Sequence, residues 1–259
     1  MAVEMSSVGA LESPKGTQGV FELPCGYVDA AGVLHTEIVL RELTGSEEDL
    51  LASKQLSAFK KYNELLVRCT QRIGTITDRG QIAAAVKALP VGDRLFLLFA
   101  IRRVSIGDEY LFEEVCPNSS CKKTNTFTVL LSELEVKKMP EPQKRIYDAI
   151  LPSGATARFR ISTGLDEEKA MATEAKTEDS ALSKGILMRL ELLNGAPPEL
   201  QAVKDMKWRD RVALRERWNT VEGGVDTETD MACPNCGHEY KKDIEVTPSF
   251  FFPSATSKA

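Results

Sequence analysis

Four of the six cysteines stand in two short pairs, Cys116-Pro-Asn-Ser-Ser-Cys121 and Cys233-Pro-Asn-Cys236-Gly237. Thiolates are ligands of structural zinc, which takes four donors in a tetrahedron. Neither pair suffices alone; together, Cys116, Cys121, Cys233 and Cys236 complete a set. The proline after each first cysteine stiffens a turn, and Gly237 lets the backbone curl around the second sulfur. Four thiolates leave no open position for water, so such a zinc is structural rather than catalytic. Three arrangements stay open on sequence alone: one zinc within the chain, one shared between two chains, or thiols with no metal. His238 could replace a cysteine, but with four cysteines present it is expected to lie exposed. CPNSSC is two residues wider than CPNC. CPNC alone also reads as a redox pair, but redox pairs of the thioredoxin type open a helix, and here the strand-like HEYKKDIEV follows.

Little else points to chemistry. Cys69 lies on an apolar helical stripe and reads as a small buried hydrophobe. Cys25 has no basic neighbour in sequence to lower its pKa. Neither histidine, His35 or His238, sits in a triad-like or H-E-x-x-H context, and there is no G-x-S-x-G, phosphate loop or G-x-G-x-x-G. No catalytic residue is assigned and no enzyme is expected. Lys122-Lys123 and Lys241-Lys242 flank the cysteine pairs, but Glu113, Glu114, Glu239 and Asp243 accompany them, so solvated strand faces are expected rather than a nucleic-acid surface. Trp208 and Trp218 read as core or interface anchors on one helix.

The elements that must bring the pairs together emerge from an internal repeat. Cys116 and Cys233 are 117 positions apart, and the same offset lays VKALPVGDR (Val86 to Arg94) on VKDMKWRDR (Val203 to Arg211) without a gap. Upstream, REL-TGSEE (Arg41 to Glu48) matches RIS-TGLDE (Arg160 to Glu167) at offset 119, and LLVRC (Leu65 to Cys69) matches ILMRL (Ile186 to Leu190) at 121. LPCGYVDAAGVLHTEIVLR (Leu23 to Arg41) parallels LPSGATARFR (Leu151 to Arg160), with the shorter hairpin in the second copy. The expected organisation is a flexible arm (1–19), a first module (20–135), a linker (136–146), a second module (147–251) and a tail (252–259).

Each module reads as a strand pair, helices, then a strand hairpin that holds the cysteines. Thr44 with Glu47, and Thr163 with Asp166, mark helix starts by capping-box spacing. Phe59, Tyr62, Leu66, Cys69 and Ile73 form a helical stripe with Gly74 as its cap; Leu182, Ile186, Leu190 and Leu193 form another, stopped by Asn194-Gly195. Two shorter helices follow, near Arg79–Leu89 and Val91–Val104, with counterparts near Pro198–Met206 and Trp208–Val221. The predicted fold class is α+β: a duplicated module (β-hairpin, helices, β-hairpin zinc knuckle) whose two knuckles combine into one zinc ribbon.

The net charge of −5 and the scattered lysines and arginines argue against a nucleic-acid surface. No apolar run reaches the length of a membrane helix, and the N-terminus lacks the pattern of a secretory signal. The cysteines are therefore expected in a reducing cytosol, where pairs bind metal more often than they form disulfides.

The order strand pair, R-x-x-TG-x-(D/E)E helix, V-K-x-(L/M)-x-x-x-DR helix pair, then a cysteine pair within strands resembles tail and baseplate assembly proteins of tailed bacteriophages. It is most similar to the T4-type baseplate hub family and to tail assembly chaperone-like proteins of contractile phages and injection systems. The resemblance implies a non-enzymatic protein, made in the bacterial cytoplasm, that joins or helps assemble the baseplate. Its partners would be other tail, baseplate or hub proteins, not nucleic acid, membrane or a small substrate. By the same resemblance Cys116, Cys121, Cys233 and Cys236 would hold one structural zinc. The competing readings are a zinc-ribbon regulator that binds nucleic acid and a redox or metal-dependent enzyme.

Overall fold

The computed structural model describes residues 18–174 and 181–252. The expected arm and tail lie outside the described residues except for Gln18, Gly19 and Phe252. The chain passes through β1 (Gln18–Val28), β2 (Leu34–Arg41), α1 (Gly45–Ala52), α2 (Ala58–Cys69), β3 (Thr70–Ile73), α3 (Arg79–Ala88), α4 (Val91–Ser105), β4 (Glu109–Val115) and β5 (Thr124–Leu130). A two-residue strand, β6 (Val136–Lys137), comes next. The second run is β7 (Ile146–Ile150), β8 (Thr156–Arg160), α5 (Gly164–Glu174), α6 (Ala181–Arg189), β9 (Leu190–Leu193), α7 (Leu200–Lys204) and α8 (Trp208–Val221), then β10 (Gly224–Val225), β11 (Glu228–Ala232) and β12 (Glu239–Asp243). The class is α+β. Each run builds an antiparallel three-stranded sheet, β1-β2-β3 or β7-β8-β9, and ends in a separate hairpin, β4-β5 or β11-β12.

The repeated motifs perform the same local tasks in both halves. Arg41 grips Glu47 with two nitrogens, at 2.9 and 3.0 Å, and Glu47 accepts from the Thr44 backbone N–H at 3.0 Å. Arg160 grips Asp166 in the same way at 2.5 Å, and Asp166 accepts from the Thr163 N–H at 2.9 Å. One carboxylate thus ties the end of a strand to the first turn of the next helix, where N–H groups lack partners. Asp93, in the first turn of α4, accepts from the Cys25 N–H at 2.7 Å; Asp210, in the first turn of α8, accepts from the Ser153 N–H at 2.9 Å. These bonds tie the LPCG stretch of β1 and the LPSG turn to the first turns of the two helices.

Two cores form. One gathers Ile38, Leu66, Ile82, Phe96, Leu97 and Ile101 from the first half. The other gathers Tyr147, Phe159, Ile186, Leu214 and Trp218 from the second. Each also takes in residues from across the boundary. Met139 and Cys25 belong to the second core, while Ile244, Phe250 and Phe251 belong to the first. Phe250 packs edge-on against Phe99, with ring centres 5.2 Å apart, and its carbonyl accepts from Arg102 Nε at 2.8 Å. The Tyr62 hydroxyl donates to the Val246 carbonyl at 2.8 Å. The chain therefore returns to close its first core with its last described residues.

Several expectations need correction. The stripe Phe59–Ile73 is not one helix: α2 ends at Cys69, and Thr70–Ile73 is strand β3, paired with β2. The open edge of β2 needs a partner, Thr70 is β-branched, and its hydroxyl donates to the last-turn carbonyl of Leu66 at 2.7 Å. Gly74 turns a strand rather than capping a helix. Leu190–Leu193 is likewise strand β9, and Asn194-Gly195, with φ of 53° and 81°, supplies the two left-handed residues of a tight hairpin turn. Residues 136–146 hold strand β6, which pairs with β10. Trp218 is in the core, but Trp208 is 72 % exposed.

Candidate metal centre

Hairpins β4-β5 and β11-β12 face one another, and their turns carry the cysteines. Cys116 Sγ lies 3.7 Å from Cys236 Sγ, and Cys121 Sγ lies 3.9 Å from Cys233 Sγ. All four sulfurs fall within 4.8 Å of one another. A tetrahedral zinc with Zn–S of about 2.3 Å sets its sulfurs about 3.8 Å apart, so the two close pairs fit such an ion. All four are free thiols, too far apart for S–S bonds of about 2.05 Å. Each close contact joins one half to the other.

The two turns solve the same problem at different lengths. The Cys116 N–H donates to the Lys123 carbonyl at 3.0 Å, and the Cys233 N–H to the His238 carbonyl at 2.9 Å; these bonds close the hairpins. The residue after each second cysteine is left-handed, Lys122 with φ of 49° and Gly237 with φ of 69°. The two extra residues of CPNSSC are stapled by Asn118. Its side-chain oxygen accepts from the Ser120 N–H at 2.9 Å, and its carbonyl accepts from the Cys121 and Lys122 N–H groups at 2.9 and 3.1 Å. The insertion is thus a self-contained turn that returns Cys121 to the position Cys236 holds in the shorter knuckle.

The αL geometry yields a prediction. Gly237→Ala should cost about 1 kcal/mol, because a Cβ is disfavoured there, whereas Lys122→Gly should be neutral or stabilising by a few tenths of a kcal/mol. Urea midpoints at unchanged m-value measure both. Equal losses from the two changes would contradict the paired role.

Amide donors surround the sulfurs. Asn125 Nδ2 lies 3.5 Å from Cys233 Sγ, and Asn118 Nδ2 lies 3.8 Å from Cys236 Sγ. Asn235 bonds Asn125 across the halves. Burial pushes Cys233 up, but the N–H groups of Asn235 and Cys236 and the neighbouring thiols outweigh it and bring it down to about 6. Burial and the other three thiols push Cys116 up to about 12, against the Asn118 N–H. The Lys123 N–H lowers Cys121, but burial and the Cys236 and Cys233 thiols leave it raised. Four adjacent thiolates repel one another, and a bound cation removes that repulsion.

The remaining candidates sit apart from this cluster. His238 is exposed, stacked on Tyr240 with ring centres 6.1 Å apart. Cys69 and Cys25 are buried, and burial raises both thiols, Cys69 to about 12, which disfavours the thiolate form. Arg145, invisible in the local sequence, donates to the Gly26 carbonyl at 2.6 Å beside Cys25. His35 is buried and meets Asp29 Oδ2 at 3.0 Å. Lys242 pairs with Glu114 at 2.7 Å and Lys241 with Glu228, so the second lysine pair is neutralised in place. No helix among the described residues is long and apolar enough to cross a membrane.

No curated protein and no solved structure matches the chain. A family model described as T4 bacteriophage base plate protein matches residues 22–191. The match runs from β1 through α6 and into β9; it takes in Cys116 and Cys121 and ends before Cys233 and Cys236. It spans about two thirds of the 259 residues, including both R-x-x-TG helix starts and the first D-R motif, so the chain belongs to the T4 bacteriophage base plate protein family.

Proposed function

We propose that this protein is a non-enzymatic structural or assembly component of a phage baseplate or hub, or of a related contractile injection system. In this reading it is built from two copies of one module and stitched by a single structural zinc on Cys116, Cys121, Cys233 and Cys236. The observation that carries the zinc is the meeting of four sulfurs from opposite halves at separations close to those of a zinc tetrahedron. Bound there, zinc supplies a cross-link, with no open position for a substrate. The protein residues set the sulfur positions through the hairpin-closing bonds and the asparagine amides. The duplication is supported by the shared element order and by the paired Asp93 and Asp210 bonds. Family membership supports other tail and baseplate proteins as partners, assembly in the host cytoplasm and residence in the virion tail.

The other reading, a zinc ribbon that binds nucleic acid, requires a basic face at the hairpins. The ion pairs of Lys241 and Lys242 with Glu228 and Glu114 count against it.

The test is elemental analysis of the purified chain. One zinc per chain in the monomer, lost in Cys233→Ser/Cys236→Ser, is the expected result. Full zinc occupancy in that variant would sink the assignment, and half an ion per chain in a dimer would move the site between chains.

A further inference from the structure

The seam between the halves is directional. The second half contributes the start of α5, and the first contributes the corner between α3 and α4. The Val91 N–H donates to the Ser162 carbonyl at 3.0 Å, and the Gly164 N–H donates to the Leu89 carbonyl at 3.2 Å. Arg94 Nε donates to Glu167 Oε2 at 2.8 Å, and Lys87 lies 3.8 Å from Glu168. One half is a donor of a helix cap; the other is an acceptor corner.

The repeat places a second donor and a second acceptor on the same chain, and each carries exposed residues. At offset 119, Leu43, Thr44, Gly45, Glu48 and Asp49 stand where Ser162, Thr163, Gly164, Glu167 and Glu168 make the seam. At offset 117, Lys204, Met206, Trp208 and Arg211 stand where Lys87, Leu89, Val91 and Arg94 receive it. Thr44, Gly45, Glu48 and Asp49 are exposed, and a Cβ on Gly45 would meet nothing within 4 Å, whereas one on Gly164 would run into Arg94. On the acceptor side Lys204 is exposed and Trp208 bares most of its indole. Arg211 Nε, the counterpart of the atom that binds Glu167, is buried without a hydrogen-bond partner, and Nη2 of the same side chain donates to Ser183 Oγ at 3.3 Å. The exposed charges remain complementary: Lys204 beside Trp208 on the corner, Glu48 and Asp49 on the cap.

We infer that a second copy of this chain docks head to tail, its Leu43–Asp49 cap seated on the Lys204–Arg211 corner, repeating between molecules the joint that holds the two halves together. The partner is this same chain because it alone is shown here to carry the matching cap, with the same Thr-Gly start and acidic pair. Such a contact is heterologous and builds rings or filaments rather than closed twofold dimers. Trp208 is its apolar anchor, consistent with tryptophan and arginine at interface hot spots. The close approach of Gly92 to Gly223 in the internal seam has no counterpart, since Arg209 and Ile106 occupy those positions; the intermolecular joint rests on the cap and corner alone. This inference depends on the repeat alignment and not on the metal.

Sedimentation of the full zinc-loaded chain over a concentration series tests it, with two variants that alter only exposed side chains. Glu48→Lys/Asp49→Lys disables the cap, and Lys204→Glu/Trp208→Ala disables the corner. Wild type should self-associate by about 0.2 mM, and each variant should weaken association about tenfold or more. Mixing the two variants should yield a discrete heterodimer, because one retains a working corner and the other a working cap. A wild type that stays monomeric, association unmoved by either variant, or a mixture that forms no heterodimer would each overturn the inference. Retained cysteines and zinc keep these outcomes separate from the metal assignment.

Discussion

Cys233→Ser/Cys236→Ser should lower the melting temperature of the chain by roughly 10–15 °C, the equivalent of about 3–5 kcal/mol for a protein of this size. The magnitude follows from what the cluster joins. Without the cross-link, hairpin β11-β12 is held to β4-β5 by the Lys242–Glu114 pair and the asparagine contacts, which are worth little near the surface. The segment directly after β12 carries Ile244, Phe250 and Phe251 into the first core. Loosening the hairpin therefore frees the segment that covers α4, and the loss reaches beyond the metal site. Hydrogen exchange should show new openings at β11, β12 and the amides of residues 244–252, with α4 partly exposed. A strong chelator should reproduce the shift in the wild type and leave the variant unmoved. A chelator that shifts both equally, or a variant that melts within about 2 °C of wild type, would show that the cluster does not hold the halves together.

The second large effect belongs to Asp93. Its side chain is fully buried; Oδ1 accepts from Cys25, and Oδ2 has no partner. Burial pushes the carboxyl up to about 7, against the pull of the Cys25 N–H and of Arg145. A carboxyl whose folded pKa lies above its unfolded value binds a proton on folding. Its contribution is complete below the unfolded value of 3.8 and is lost as pH rises through about 7. Between pH 8 and pH 5.5 stability should therefore increase as pH falls, by about 2 kcal/mol from this group. Glu222, also raised by burial despite Arg189, adds to the same slope. Glu47 works in the opposite sense at lower pH: against burial, the bonds from Arg41 and Thr44 hold it down to about 2. Its contribution is present above the ordinary value of 4.5 and fails as pH falls through about 2. Thiolate ligands also protonate in acid, so the measurement belongs above about pH 5.5.

Asp93→Asn keeps an oxygen for the Cys25 N–H and removes the buried charge. It should raise stability at pH 8 by about 1–3 kcal/mol and flatten the profile between pH 5.5 and pH 8, leaving only the smaller slope from Glu222. Urea denaturation at several pH values reads both effects. A variant with the wild-type slope would show that Asp93 does not titrate in this window. Asp210→Asn offers the internal comparison, since it makes the equivalent bond to Ser153.

Several features were legible in the sequence because they are local. Thr44 and Glu47 announce a helix start by their spacing alone, and the structure puts Arg41 on the same carboxylate. Helix α8 runs from Trp208 to Val221, where the motif alignment with Val91–Val104 places it. The order of elements in the two halves follows the register of the repeated motifs, because each motif is a contact within one or two neighbouring elements. The turn after Cys236 was likewise readable from Gly237, whose φ is 69°.

Other features were decided by the tertiary structure. Ile73 is buried whether it ends a helix or lies in a strand, so apolar spacing could not reveal that Thr70–Ile73 would leave α2 to pair with β2. Trp208 shares a helix with the buried Trp218, yet it meets the Arg215 guanidinium at 5.5 Å and stays largely exposed; burial depends on what packs opposite, which no single segment encodes. The sequence by itself determined the candidate ligands, the caps, the order of the matching motifs and the family. Only the tertiary structure could place Cys116 against Cys236 and Cys121 against Cys233, and carry Phe250 back into the first core. Contacts between residues more than a hundred positions apart depend on the packing of every element between them.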